Sequence, residues 1–393
     1  MLNTYFADLH IHIGRDMYDQ PVKITASNQL TLTNILKEAS RRKGIDLIGI
    51  IDCHAPAVQT EIKQLLKDGL AKEINGGGIR FEDITLIMGA EIEVYDENCQ
   101  GPIHVLCYFP TLQAIQTFTQ WLVGKMKNIT LSSQRYYGKA VDLQNIVKEL
   151  DGLFIPAHVF TPFKSMYGKG VKASLTEVFN PHLIDAIELG LSSDTTMADQ
   201  IKELRTFTYV TNSDSHSLAK IGREYQKIQI ESPSFEELRL ALHGKKNRGI
   251  IANYGMNPQL GKYHTTVCRN CFNAVDYGTK QCPYCFKNKV VNGVYDRILE
   301  LATPNSTSVA RPAYYYQVPL EYLPGLGPKT FEKLLDAFGT EMNIIHYVSK
   351  TNLQQIVSPD LAELIIDNRN GIQHVEAGGG GIYGKIKASK NKK

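Results

Sequence analysis

Between residue 4 and about residue 250, short apolar runs alternate with amphipathic helical patterns, and no other feature limits the fold as strongly. Predicted strands are Leu47–Ile51, Ile84–Met88, Ile103–Phe109, Leu153–Pro156, Ala186–Leu189, Thr208–Thr211 and Gln226–Ile230. Predicted helices between them are Leu32–Arg42, Glu61–Lys72, Leu112–Lys127, Leu143–Leu150, Thr196–Leu204 and Phe235–His243. Repeated strand–helix units favour an α/β fold, a parallel sheet or a barrel. A further run, Tyr5-Phe6-Ala7, opens into Asp8-Leu9-His10-Ile11-His12. Side chains two apart in an extended segment share a face, so His10 and His12 can reach one metal ion together. Two imidazoles with the carboxylate of Asp8 upstream suit zinc or manganese.

Metal-ligand residue types recur at the other strand ends. Asp52 and His54 follow Ile51, and Glu91 and Glu93 follow Met88. His104 lies within its strand, His158 follows Pro156, Glu188 sits in Ala186–Leu189, and Asp214 and His216 follow Thr211. One such residue after a strand is an ordinary cap or turn residue. In a barrel, however, the C-terminal strand ends meet at one mouth, and there the set forms a cluster. Adjacent cations in such a cluster activate water and neutralise a phosphoryl oxygen, which favours phosphate-ester hydrolysis.

Taken together, Asp8–His12, Ile51–His54, Gly89–Val94, Ile155–Val159 and Asn212–His216 resemble the successive motifs of the PHP (polymerase and histidinol phosphatase) superfamily. The resemblance implies a distorted β/α barrel of about seven strands with two or three divalent ions. Carried over by position, the ligands are His10, His12, His54, Glu91, His104, His158, Asp214 and His216, with Glu91 bridging. One departure concerns the metal count: where many members carry a further histidine, this chain has Tyr18, with Asp16 or Asp19 as substitutes.

Past the barrel pattern, Cys268 and Cys271, ten residues, then Cys282 and Cys285 form two CxxC knuckles. Two knuckles make a closed, structural four-cysteine zinc site. The remaining cysteines are scattered, and no basic-then-apolar leader is evident, so a reducing, cytoplasmic (nucleoid-associated) setting is expected. Residues 303–319, rich in Pro, Ser and Tyr, read as a connector. Leu323-Pro324-Gly325-Leu326-Gly327-Pro328-Lys329 and a helix Phe331–Phe338 resemble a helix-hairpin-helix, with a weaker second copy at Ile356–Gly371. Gly325 and Gly327 would let the backbone approach a phosphate, and Lys329 adds charge. Residues 378–393 carry five lysines and read as a flexible basic tail. Net charge is only +3, so any nucleic-acid affinity must come from such local patches, and no stretch approaches a membrane span.

The expected organisation is a metal-dependent phosphoesterase barrel (1–255), a four-cysteine zinc module (256–302), a helix-hairpin-helix-like region (303–375) and a tail (376–393). With the motif His158-x-x-Thr161-Pro162-Phe163-x-Ser165-x-Tyr167-Gly168, this combination resembles the endonuclease Q family of PHP-containing DNA repair enzymes. The resemblance implies nicking of damaged DNA 5′ of uracil, hypoxanthine, xanthine or an abasic site, leaving 3′-hydroxyl and 5′-phosphate. It also implies a lesion flipped into a pocket, as chemistry at a base requires. Asp214, His216 and Glu91 would serve catalysis, and Arg223 would be either a phosphate clamp or an exposed partner of Glu224. Lys164, Ser165, Tyr167 and Gly168 would contact DNA, with Ser165 as a candidate donor to the lesion carbonyl. Zinc in the knuckle and the barrel, with Mg2+ or Mn2+ for catalysis, are the expected cofactors. A small-molecule phosphomonoesterase and a non-catalytic DNA-binding scaffold are the alternatives.

Overall fold

The computed structural model describes residues 1–261, 263–303, 309–372, 375–376 and 384–386. The chain runs β1 (Asn3–Ile11), α1 (Leu32–Glu38), β2 (Leu47–Ile50), α2 (Pro56–Lys67), β3 (Ala71–Glu73), β4 (Ile79–Phe81), β5 (Ile84–Val94) and β6 (Ile103–Phe109). It continues through α3 (Leu112–Leu122), β7 (Arg135–Tyr136), α4 (Ala140–Glu149), β8 (Leu153–Pro156), β9 (Ile187–Glu188), α5 (Thr195–Ala198) and β10 (Tyr209–Val210). Then come β11 (Tyr225–Ile230), α6 (Phe235–Leu242) and β12 (Gly249–Gly255).

β1, β2 and β5 pair in parallel, while β5–β6 and β6–β8 are antiparallel. The antiparallel steps depart from the parallel expectation for a physical reason. Only residues 95–102 separate β5 from β6, too few for a parallel crossover. Beyond β8 the ring continues where Asp185 N donates to Phe154 O (3.0 Å), and then through the parallel pair β9–β10. It closes on β1, where Ser215 N donates to His10 O (3.0 Å) and His12 N to Ser215 O (3.1 Å). The result is a distorted α/β barrel that closes beside the His10–His12 segment.

Several boundaries move. Pro56 at the first helical position starts α2 before the predicted Glu61, and Gly69 (φ +71°) follows its end. The helix predicted over 112–127 stops at Leu122, just before Gly124 in the left-handed region. The one predicted over 196–204 is the short α5 followed by a 3-10 turn, Lys202–Thr206. Outside the ring, β11 and β12 extend the sheet beyond β1, and β15 (Ala313–Tyr316) joins β12 in parallel. The segment read as a connector therefore supplies an edge strand.

β13 (Val267–Cys268) and β14 (Val290–Val291) form the knuckle ribbon, followed by α7 (Val294–Leu301). The C-terminal helices are α8 (Pro328–Phe338), α9 (Glu341–His346), α10 (Lys350–Leu353) and α11 (Pro359–Arg369). Pro328, not Phe331, starts α8, with Gly327 as its cap. These helices dock on the barrel through a buried Lys43–Glu341 pair (2.7 Å) and through His346, stacked on Phe6 at 4.6 Å. The predicted tail falls outside the described residues except at 376 and 384–386. Among the described residues no helix is long and apolar enough to cross a membrane.

Close packing against β1 depends on one glycine. A Cβ at Gly49 would lie 2.2 Å from the carbonyl oxygen of Leu9, in the strand that carries His10. Gly49→Ala is expected to destabilise the fold by about 2–3 kcal/mol, since rigid backbone must shift. Denaturant unfolding with an unchanged midpoint would contradict this packing.

Candidate active site

Two metal-ligand groups converge at the barrel mouth. His10, His12 and Asp214 form one, and Glu91, His104 and His158 the other; within each, the ligand atoms lie within 4.8 Å of one another. Glu91 faces both: Oε1 lies 3.5 Å from His10 Nε2 and 3.4 Å from His158 Nε2, and Oε2 lies 3.7 Å from His12 Nε2. Asp214 Oδ1 is 3.4 Å from both His10 Nε2 and His12 Nε2. His10 Nε2, His12 Nε2, His104 Nε2 and Asp214 Oδ1 are buried with no hydrogen-bond partner among the described residues. Buried ligand atoms left without partners beside these groups are what a cation would satisfy, so the residues fit bound metal.

The imidazoles are oriented from behind. His10 Nδ1 sits 3.0 Å from Glu188 Oε1, and His12 Nδ1 3.1 Å from Asp52 Oδ2, which leaves each Nε2 for the cavity. Asp52 and Glu188 are strand-end acids that the sequence marks without assigning a role. Asp8 works further back, accepting from the backbone of Ser213 (3.0 Å) and Gly222 (2.8 Å) and so fixing the loop that carries Asp214. Lys23 and Ser133, which no local pattern marks, complete the wall: Lys23 Nζ lies 2.6 Å from Ser133 Oγ and 3.3 Å from Glu91 Oε2.

Burial alone would raise the carboxyl pKa of Glu91 and Asp214, but the surrounding cations reverse it. His104 and Lys23 hold Glu91 well below the usual carboxylate range, and His10 and His12 do the same for Asp214. For His10, burial opposes the charge, yet Glu188, Asp214 and Glu91 push its pKa up to about 10. The surrounding carboxylates thus favour a proton on His10 in the metal-free site, which a metal must displace. Against burial, Glu91 also raises the pKa of His104, so metal binding near pH 7.5 is expected to release protons from the ligand histidines and to tighten as pH rises. Calorimetry in buffers of different ionisation enthalpy reads that release; zero net release would contradict the assignment.

The other predicted residues divide. His216 lies beside the cluster, its ring 4.6 Å from that of His12, and lines a cavity of about 500 Å³ with Lys23, Glu91, His104, His158, Lys164 and Asp214. His54 belongs to neither group; its Nε2 faces the Leu131 carbonyl at 3.2 Å. Asp16 accepts from Tyr18 N and Gln20 N within a turn, Asp19 is solvent-exposed, and neither joins the cluster. Arg223 is no exposed partner of Glu224, which is fully buried; it donates to the Ser213 carbonyl (2.6 Å), next to Asp214.

The loop after His158 also differs from its reading. Ser165 is buried, its hydroxyl donating to Thr161 O and accepting from Gly168 N, so it is not free to read a base. Tyr167 is buried too and donates to Glu203 (2.7 Å), and a Cβ at Gly168 would strike the Thr161 carbonyl. Phe163 and Lys164 remain at the cavity, with Lys164 2.8 Å from Glu93. The knuckle module backs Phe163 from outside the cavity: Tyr263 packs edge-on to that ring (5.6 Å) and Arg269 lies over it (5.6 Å). Arg297 of α7 donates to the carbonyls of Tyr167, Val171 and Lys172, tying the loop to the module. Within the module, the Cys268, Cys271, Cys282 and Cys285 sulfurs lie within 4.8 Å of one another, a four-thiolate metal site.

No protein-family model matches the chain. The uncharacterized protein YqxK of Bacillus subtilis is 52% identical over 386 residues, covering 98% of this chain and 100% of YqxK. Among solved structures, the lesion-specific endonuclease PfuEndoQ from Pyrococcus furiosus superposes with a TM-score of 0.84 at 31% identity, over 99% of this chain and 96% of its own. Endonuclease Q in complex with a 27-mer duplex bearing an abasic lesion at the active site gives a TM-score of 0.83 at 30% identity, over 99% and 97%. With barrel, knuckle and C-terminal helices matched along nearly the whole of both chains, this protein belongs to the endonuclease Q family.

Proposed function

We propose that the protein is a metal-dependent DNA repair endonuclease that hydrolyses the backbone of damaged DNA beside the lesion. One observation carries this: the fold matches over nearly its full length a structure of endonuclease Q holding a duplex with an abasic lesion. The converged ligand groups give the chemistry a place to occur. In the finer reading, the cut falls 5′ of a deaminated base (uracil, hypoxanthine or xanthine) or abasic site, leaving 3′-hydroxyl and 5′-phosphate. That activity would keep the protein with the nucleoid.

Divalent ions held by His10, His12, Asp214, Glu91, His104 and His158 would supply Lewis acidity, acidifying water and neutralising charge on the phosphoryl oxygens. Imidazole-rich donor sets suit zinc or manganese better than magnesium, which prefers oxygen. In the knuckle, sulfur separations of 3.5 and 3.6 Å fit zinc, since Zn–S bonds of about 2.3 Å set a tetrahedral edge of about 3.8 Å. His216, whose ring lies 4.6 Å from that of His12, would support the cluster as a further ligand. His54 would do so only through Nδ1, which has no hydrogen-bond partner among the described residues. Arg223 acts as a positioning residue, holding the Ser213–Asp214 backbone.

Around the mouth, Lys164 and Arg269 neutralise phosphates, and the half-exposed face of Phe163 suits stacking on a base. Gly325 (φ +85°) and Gly327 leave open space that a side chain would fill, at the start of α8 beside the exposed Lys329. That turn would hold the duplex through phosphates, which position without specifying sequence. A panel of end-labelled duplexes with single uracil, hypoxanthine, xanthine or abasic sites tests the finer reading. Cuts 5′ of each lesion, with ligatable ends, are expected; cuts on the 3′ side or at unmodified positions would refute it.

A further inference from the structure

The two metal-ligand groups share a cavity with one buried ammonium. The segment after His12 leaves the strand, turns through residues 14–21 and comes back, Val22 N donating to Gly14 O (3.0 Å) and Lys23 N to Ile13 O (2.8 Å). This return delivers Lys23 to the wall of the cavity, with its side chain only 15% exposed. Of its three N–H donors, one meets Ser133 Oγ (2.6 Å) and one Glu91 Oε2 (3.3 Å). A third remains for the cavity that Asp214, His104, His158 and His216 also line. Glu91 Oε1 thus faces ligand atoms of both groups, while Oε2 accepts from the Ser133 hydroxyl and has Lys23 at 3.3 Å and His12 Nε2 at 3.7 Å. A metal ion placed at that same oxygen would meet the like charge of the ammonium.

We propose that Lys23 is a built-in third cation of the centre, standing beside Glu91 where a further metal ion would otherwise sit and donating a hydrogen bond to a phosphoryl oxygen of the substrate. This rests on the phosphodiesterase reading above. A fixed cation at the phosphoryl group stabilises charge that develops in the transition state without having to be recruited with each turnover.

The test compares full-length wild type, Lys23→Met and Lys23→Arg for metal content, nicking and phosphate binding. After saturation with Mn2+ or Zn2+ and gel filtration, elemental analysis should give three ions per chain in both wild type and Lys23→Met, one for each ligand group. Lys23→Met should nick a lesion duplex with kcat lowered about 100-fold, and Lys23→Arg should recover part of it. A fourth ion in the wild type would overturn the proposal. Loss of a barrel ion in Lys23→Met would also do so, because Lys23 would then act only by holding Glu91, as would wild-type nicking by that variant. Should wild type nick no lesion, the functional reading fails while Lys23 stays testable. Inorganic phosphate, followed by 31P line broadening on the Mn2+-loaded protein, should then bind about tenfold more weakly to Lys23→Met, and equal binding refutes the contact.

Discussion

Asp214→Asn is expected to lose nicking by about 1,000-fold or more while remaining folded and able to bind DNA. Asp214 has φ +45°, a left-handed backbone that asparagine adopts more readily than most residues, so the loop around it survives the change. What disappears is the charge. Asp214 Oδ1 sits 3.4 Å from Nε2 of both His10 and His12, and a neutral amide cannot serve as the anionic member of that trio. Changes to residues that merely orient ligands cost about 10–100-fold, and loss of a ligand should exceed that. Initial rates on a lesion duplex, with gel shift and circular dichroism as controls, provide the check. Near-normal nicking by a variant free of contaminating nuclease would remove Asp214 from the centre.

Cys282→Ser is expected to lower the metal content by one ion per chain and to unfold the knuckle while sparing the barrel. Cys282 is fully buried, with its sulfur 3.5 Å from that of Cys271. Structural zinc contributes about 10–16 kcal/mol in finger-sized domains, far more than so small a module stores in its apolar core. Tyr263 and Arg269 would then leave Phe163, and that ring at the cavity would lose its support. Lesion-duplex binding should weaken about tenfold, by the scale of one lost stacking and cation–π cluster. Limited proteolysis should cut within residues 262–302, and barrel ions should stay bound. Unchanged total metal in Cys282→Ser would show that the four thiols hold none.

The site is legible where chemistry follows a strand. His10, His12, Glu91, His158 and Asp214 stand in or just after apolar runs, so the strand-end rule gathers them without any long-range information. His104 instead lies near the start of the antiparallel β6 and reaches the mouth from that end. Lys23 escapes that rule because it reaches the cavity by a loop that turns back, and its Val-Lys-Ile surroundings look like any exposed segment. Ser165 and Tyr167 show the opposite failure. An aromatic and lysine-rich loop reads as a surface, yet capping of the turn at residues 166–170 and packing on Phe160 draw both residues inward. Strand alternation misleads about sheet direction at β5–β6, though the short connection between them already forbids a parallel pair. Tyr314–Tyr316 do not read as a strand because edge pairing with β12 is a tertiary choice, not a local preference.

The most direct test is a labelled duplex with one abasic site, incubated with the Mn2+-loaded protein beside an undamaged duplex and a small phosphomonoester. A single metal-dependent cut on the 5′ side of the lesion, with the undamaged duplex intact, is the predicted result. Hydrolysis of the phosphomonoester with both duplexes left whole would contradict the endonuclease assignment.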